Sequence, residues 1–125
     1  MAIPRQRQIL GQKGEEEAVQ FLRRLGYAII AQNYRSPYGE IDVIAKDHQV
    51  LVFVEVRTHS RPEYGDPLES VNWRKQRQVA KTAQYYLTCN GLENHEARFD
   101  VIGIQWQDGQ ARLSHIPGAF ELLRA

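Results

Sequence analysis

The chain has 125 residues, 42% hydrophobic and 25% charged, enough to bury the core of one domain and too few for two comfortable ones. No run approaches the ~18 apolar residues that cross a bilayer, and MAIPRQRQIL has too short an apolar region for a secretory signal, so a cytoplasmic protein with no membrane partner is expected. One cysteine, Cys89, excludes an internal disulfide and a thiolate zinc cage, and the histidines lack metal-binding spacing. The net charge of +1 conceals two basic stretches, Arg5, Arg7 and Lys13, then Arg74, Lys75, Arg77 and Lys81, which are either solvated helix faces or attractors of phosphates.

From Gly11 to Leu25 the apolar residues Ala18, Val19, Phe21, Leu22 and Leu25 recur at helical spacing, with Gly26 as a stop. Residues 27–35 read as a first strand, and Ser36-Pro37-Tyr38-Gly39 closes it. The segment GEIDVIAK turns through Asp47-His48-Gln49 into LVFVEVR, which makes a hairpin. Residues 58–69, with two prolines and a glycine, read as a long loop suited to function or movement. Ser70 is the expected N-cap of a second helix that ends at Asn90-Gly91. A second hairpin follows, ARFDVIGIQW and ARLSHI joined through Asp108-Gly109. The order helix, three strands, helix, two strands implies an α/β fold, a mixed sheet with helical cover.

Along LVFVEVR, Val52, Val54 and Val56 share one face and Leu51, Phe53, Glu55 and Arg57 the other. Both faces begin apolar, as in a central strand covered on both sides, so Glu55 and Arg57 emerge together near its end. A buried charge there costs several kcal/mol unless paired, hydrated or metal-bound. Antiparallel partners share a face and keep a constant sum of positions. A two-residue loop at His48-Gln49 gives the sum 97 and sets Asp42 opposite Glu55 and Glu40 opposite Arg57. A loop at Asp47-His48 keeps Asp42 on the same face one diagonal away, whereas a three-residue loop separates them unless a bulge restores the phase. Two adjacent carboxylates repel unless a proton or a cation neutralises them. Mg²⁺ suits such a pair, because it takes a few carboxylates and keeps positions for water and a phosphate oxygen. The plainer alternative is an ordinary Glu55–Arg57 surface pair.

An acid in the first helix, an aspartate on one strand and Glu-x-Lys on the next resembles the PD-(D/E)xK pattern of restriction-endonuclease-like nucleases, which include archaeal Holliday junction resolvases and RecB-type domains. More closely, Gly11-x-x-Gly14-Glu15-x-x-Ala18, Gly26-Tyr27, Gly39-Glu40-Ile41-Asp42, Phe53-Val54-Glu55-Val56-Arg57, Tyr64-Gly65-Asp66-Pro67, Lys75 and Arg98-Phe99-Asp100-Val101 resemble the YraN-like (UPF0102) family of small bacterial proteins. The resemblance implies one endonuclease-like domain over residues 1–125, with a restriction-endonuclease-like mixed five-stranded sheet flanked by helices. It also implies Mg²⁺ or Mn²⁺ held by Asp42, Glu55, the Val56 carbonyl and Glu15, directly or through water, with Arg57 in the lysine position. Arginine keeps its charge, so this residue can orient water or stabilise a phosphorane but cannot serve as general base. Glu15 competes with Glu16 and Glu17 for the inward position, and with the plain role of a helix-start acid. Gln76 and Gln78 lack the following tyrosine of the RecB-type pattern and stay outside the catalytic set.

Three functions follow. The first is a metal-dependent endonuclease acting on DNA, with Glu15, Asp42, Glu55 and Arg57 catalytic and Arg74, Lys75, Arg77 and Lys81 contacting nucleic acid; branched or structured DNA is the expected substrate by analogy of fold. The second keeps the fold and the basic surface but cleaves poorly or not at all. The third is an interaction module whose long loop and sheet edge form a homodimer.

Overall fold

The structure, a computed structural model, describes residues 2–59 and 67–121, with side chains from residue 11 onward. The elements are α1 (Ala2–Arg24), β1 (Ala28–Ser36), β2 (Gly39–Asp47), β3 (Val50–His59), a 3₁₀ turn (Pro67–Ser70), α2 (Trp73–Cys89), β4 (Ala97–Gln107) and β5 (Gln110–Phe120). The strands form one sheet in the order β1-β2-β3-β4-β5, antiparallel except between β3 and β4. The α/β class and the mixed five-stranded sheet expected from the sequence are what the chain adopts.

The alternation in β3 divides the core in two. Val52 and Val54 pack with Ala18, Val19 and Leu22 of α1, while Leu51 and Phe53 pack with Val79, Ala83 and Leu87 of α2. Each helix covers one face, so β3 is central and buried on both sides. The parallel β3–β4 pair requires a crossover, which α2 supplies.

Several boundaries differ from the sequence reading. Helix α1 begins at Ala2 rather than Gly11; Pro4 lies in its first turn, where a missing N–H costs nothing. The N-cap of α2 is Asn72, whose Oδ1 accepts the Lys75 N–H at 2.9 Å; the Ser70 hydroxyl instead donates to the Pro67 carbonyl at 2.6 Å. Thr58 and His59 extend β3, and Pro67–Ser70 forms the 3₁₀ turn, so the expected loop is shorter at both ends. Tyr64, Gly65 and Asp66, and the side chains of Arg5 and Arg7, lie outside the described residues.

In β4, beside Val54 of the central strand and on the α1 face, Asp100 is fully buried and well partnered. Its carboxylate accepts from Arg98 Nε at 2.9 Å and Nη2 at 3.1 Å, pairs with His115 Nε2 at 2.8 Å, and accepts the Gly118 N–H at 3.0 Å. Arg98 also reaches Asp47 at 3.2 Å and the Tyr27 hydroxyl at 2.7 Å. These bonds hold the Asp100 carboxyl below its usual range although burial alone raises it. The Arg98-Phe99-Asp100 segment thus ties β4 to β5 and to the β2–β3 hairpin, and its charges are structural.

Gly14 sets the approach of α1 to β3, because a Cβ there would collide with Thr58 Oγ1. Gly11, three residues earlier, has open space around it. Gly11→Ala should therefore stabilise the fold by about 0.5–1 kcal/mol through helix propensity, whereas Gly14→Ala should lose about 1–3 kcal/mol to overpacking, with Thr58→Ala restoring most of the loss. Urea denaturation of the three variants measures both signs.

Candidate functional site

The β2–β3 ladder runs from Asp47↔Val50 to Val43↔Val54, the register of the two-residue His48-Gln49 loop. One step further, where Asp42 and Glu55 would pair, the strands part. Strand β2 loses its alternation there: Val43 and Ala45 pack on the α1 side, yet Ile41 packs on the α2 side. Asp42 sits at that break, and its Oδ2 accepts the Val56 N–H at 2.8 Å in place of a strand carbonyl. A side chain thus finishes the hydrogen bonding of β3 where β2 leaves it.

Glu55 is 2% exposed. Its Oε2 lies 3.7 Å from Lys75 Nζ of α2, too long for a good hydrogen bond, and its Oε1 is buried without a hydrogen-bond partner. Burial foremost, and then the Asp42 charge, push the Glu55 carboxyl up to about 8, against the pull of Lys75 and Arg57. Asp42 is raised as well, mainly by burial, with the Val56 N–H opposing. Glu15 and Glu17 are half-buried and Glu16 is exposed; of the three, Glu15 is the one that faces Asp42 and Asn33. Its carboxyl is raised by burial first and by Asp42 second. With its amide nitrogen turned to the two carboxylates, Asn33 donates to Glu15 Oε2 at 3.2 Å and Glu40 Oε1 at 3.0 Å.

The structure therefore brings Glu15, Asp42, Glu55 and Arg57 to one end of β3. Val56 stands between the last two, laddered to Ile102 of β4, and Arg57 carries a buried Nε with no hydrogen-bond partner. Glu40 does not meet Arg57; it turns to Asn33 and to Arg35, 3.5 Å away, because the ladder ends before their pair. Lys75 leaves the group of surface cations. It lies four residues before Val79 and so shares the core-facing stripe of α2, a spacing that already marked it as inward in the sequence. Arg74, Arg77 and Lys81 remain exposed, while Gln76 donates to the Val71 carbonyl at 2.9 Å and takes no part in the carboxylate cluster.

Among the described residues, no three His, Cys, Asp or Glu side chains form a ready-made metal cage. Two carboxylates suffice for Mg²⁺, which keeps most of its waters. The donor set fits a hard divalent ion: adjacent carboxyl oxygens, one of them buried and unpaired, in a place where mutual repulsion asks for a positive charge.

Residues 14–104 match the model of the uncharacterised protein family UPF0102. The chain belongs to that family. Relatives named as UPF0102 proteins include one from Geobacter sulfurreducens, 47% identical over 91% of this chain and 90% of its own. Others are from Syntrophotalea carbinolica, 42% identical over 94% of this chain and 95% of its own, and from Myxococcus xanthus, 42% identical over 96% and 95%. The UPF0102 match runs from Gly14 through β4 and so takes in every residue of the carboxylate cluster.

The raised Glu55 carboxyl has a stability consequence. Between pH 4.5, the ordinary value, and about 8, the folded chain keeps a proton that the unfolded chain has released. Stability contributed by protonated Glu55 is therefore complete at low pH and is lost as pH rises through about 8. Glu55→Gln should flatten this loss and be more stable than the parent at pH 8–9 by up to a few kcal/mol, seen as a higher melting temperature in thermal melts across pH in chelator.

Proposed function

We propose that this protein is a divalent-metal-dependent endonuclease-like enzyme of the cytoplasm that hydrolyses DNA phosphodiester bonds. The observation that carries the reading is the buried Glu55 beside the half-buried Asp42, with the unpartnered Glu55 Oε1. A fold seldom keeps an unsatisfied carboxyl in its core without a use for it. The likeness of the Glu15, Asp42, Glu55-Val56-Arg57 order to PD-(D/E)xK nucleases supports the same reading, and it alone supports structured or branched DNA as substrate.

Asp42 and Glu55, with the Val56 carbonyl and Glu15 directly or through water, would hold Mg²⁺ or Mn²⁺. Such an ion supplies Lewis-acid polarisation of the phosphate and a more acidic bound water. Asp42 keeps its carboxylate fixed through the Val56 N–H. Arg57 is half-buried, with its Nε unpartnered, and its guanidinium would hold the phosphate and offset charge developing on it. Lys75 of α2 sets an ammonium beside Glu55, so a lysine does stand at the site, supplied by another element than β3.

A second reading, a nucleic-acid-binding protein that cleaves poorly, is favoured by one residue, the arginine at position 57. Calorimetric titration of Mn²⁺ should give a binding event with the wild type and none with Asp42→Ala, and binding should release close to one proton near pH 7, from Glu55. Equal heats in both proteins would remove the metal site. Cleavage of single-stranded, linear and four-way-junction DNA with Mn²⁺ should fall at least ~100-fold in Glu55→Gln, in keeping with the loss of a key charge in the transition state. Activity gained only in Arg57→Lys would select the second reading.

A further inference from the structure

Beside the carboxylate site lies a groove of about 530 Å³ lined by Tyr38, Trp73, Arg74, Arg77, Gln78 and Lys81. We propose that this groove is a stacking platform for unpaired nucleotides, so that the nucleic acid engaged by this protein enters as a single strand. The inference rests on the nuclease reading for its context but not for its chemistry.

Three features carry it. The first is charge: the lining holds three cations and, among the described residues, no acid. Arg74, Arg77 and Lys81 stand at positions that recur on one side of α2, so their charge forms a strip rather than a scatter, complementary to a phosphate backbone. The second is exposed aromatic area. Trp73 is 57% and Tyr38 53% exposed, the most exposed large rings among the described residues, and Tyr85 meets the Tyr38 ring edge-on at 6.2 Å. A lone exposed ring needs no explanation, but two rings set among cations present the faces on which bases stack, whatever their sequence. The Arg77 guanidinium lies 5.7 Å from the Trp73 ring centroid, which orients the ring and adds a second planar surface.

The third feature is rigidity. Trp73 is the first residue of α2, directly after the Asn72 cap. Tyr38 lies in the β1–β2 turn, where its N–H donates to Ser36 Oγ at 3.0 Å, and Ser36 Oγ reaches Thr82 Oγ1 of α2 at 3.3 Å. The turn is thereby pinned to the helix. Gln78 lies against Gly39, whose φ of +152° and lack of a Cβ permit the contact. Both walls are fixed before any strand arrives, which reduces the ordering cost of binding.

Position ties the platform to the carboxylates. Lys75 lies between Arg74 and Gln76 and reaches inward to Glu55, while β2 runs from the turn at Tyr38 to Asp42 in four residues, about 13 Å. A strand stacked on Tyr38 and Trp73 would lead its backbone past the cations of α2 towards the break between β2 and β3. A duplex offers no base faces to these rings, since its bases are stacked on one another.

The test uses fluorescein-labelled oligothymidylate, oligouridylate of the same length and a duplex, with anisotropy read in chelator so that no metal takes part. Wild-type protein should bind either single strand more tightly than duplex and quench Trp73 fluorescence on binding. Trp73→Ala and Tyr38→Ala should each weaken single-strand binding by roughly 5- to 150-fold with little effect on duplex. Trp73→Phe should keep most of the affinity and lose the quench, with Trp106 as the remaining fluorophore. Neutralising Arg74, Arg77 and Lys81 together should make the salt dependence shallower by up to about 2 in log–log slope. Equal affinity for duplex and single strands, or unchanged affinity in both alanine variants, overturns the platform. Mn²⁺ heats without single-strand preference would remove the platform alone; single-strand preference in a wild type that takes up no Mn²⁺ would remove the nuclease reading alone.

Discussion

The constraint on which the rest of the molecule depends is that β3 is buried on both faces. A strand so placed needs a helix above and a helix below, neighbours on both edges and apolar residues along most of its length. Val52 and Val54 satisfy α1, Leu51 and Phe53 satisfy α2, and β2 and β4 take up the edges. The parallel partner β4 then dictates the path of the chain, because a parallel neighbour is reached only through a crossover. The crossover is α2, and its arrival over one face brings Lys75 to Glu55. The site therefore follows from the sheet topology; no separate loop has to build it.

The same burial makes the site costly. Each methyl group of β3 adds to the core, but the last turn of the pattern buries a carboxyl with one oxygen unserved. The molecule handles charge quite differently on the α1 face of the sheet, one position away in the β3–β4 ladder, where Asp100 receives Arg98, His115 and the Gly118 amide. Two acids buried in one sheet thus differ in their surroundings, one saturated with partners and one half-served. The direction of their carboxyls follows suit: Asp100 is held below its ordinary range and Glu55 above it.

Much of this was legible in the sequence because strands impose strict parity. The apolar alternation of LVFVEVR assigns both faces of β3; it leaves three hairpin registers open, of which the two-residue His48-Gln49 turn is the one adopted, carrying Asp42 towards Glu55. Parity also explains the misreading of Glu40. The rule holds only while the ladder lasts, and the ladder stops at Val43↔Val54, a break set by the Asp42 side chain and invisible to any period. Helix ends were less legible. Ser70 and Asn72 are both good caps, and the choice between them rests on the 3₁₀ turn, in which Ser70 is already engaged with Pro67. Lys75 was grouped with its basic neighbours by charge, although its spacing from Val79 placed it on the inner stripe. The rings of Tyr38 and Trp73 are far apart in the chain, and only the docking of α2 against the β1–β2 turn makes them neighbours.

The hydrogen bond from the Val56 amide to Asp42 carries a further consequence. Because the backbone of β3 is finished by a carboxylate, the electron density on that carboxylate is shared with the strand. A proton or a cation on Asp42 draws density away from the oxygen that Val56 holds, and the amide hydrogen responds in its chemical shift and its exchange with solvent. The main chain of the central strand thus reports the charge state of Asp42 at a single nuclear position, one peptide unit from Glu55.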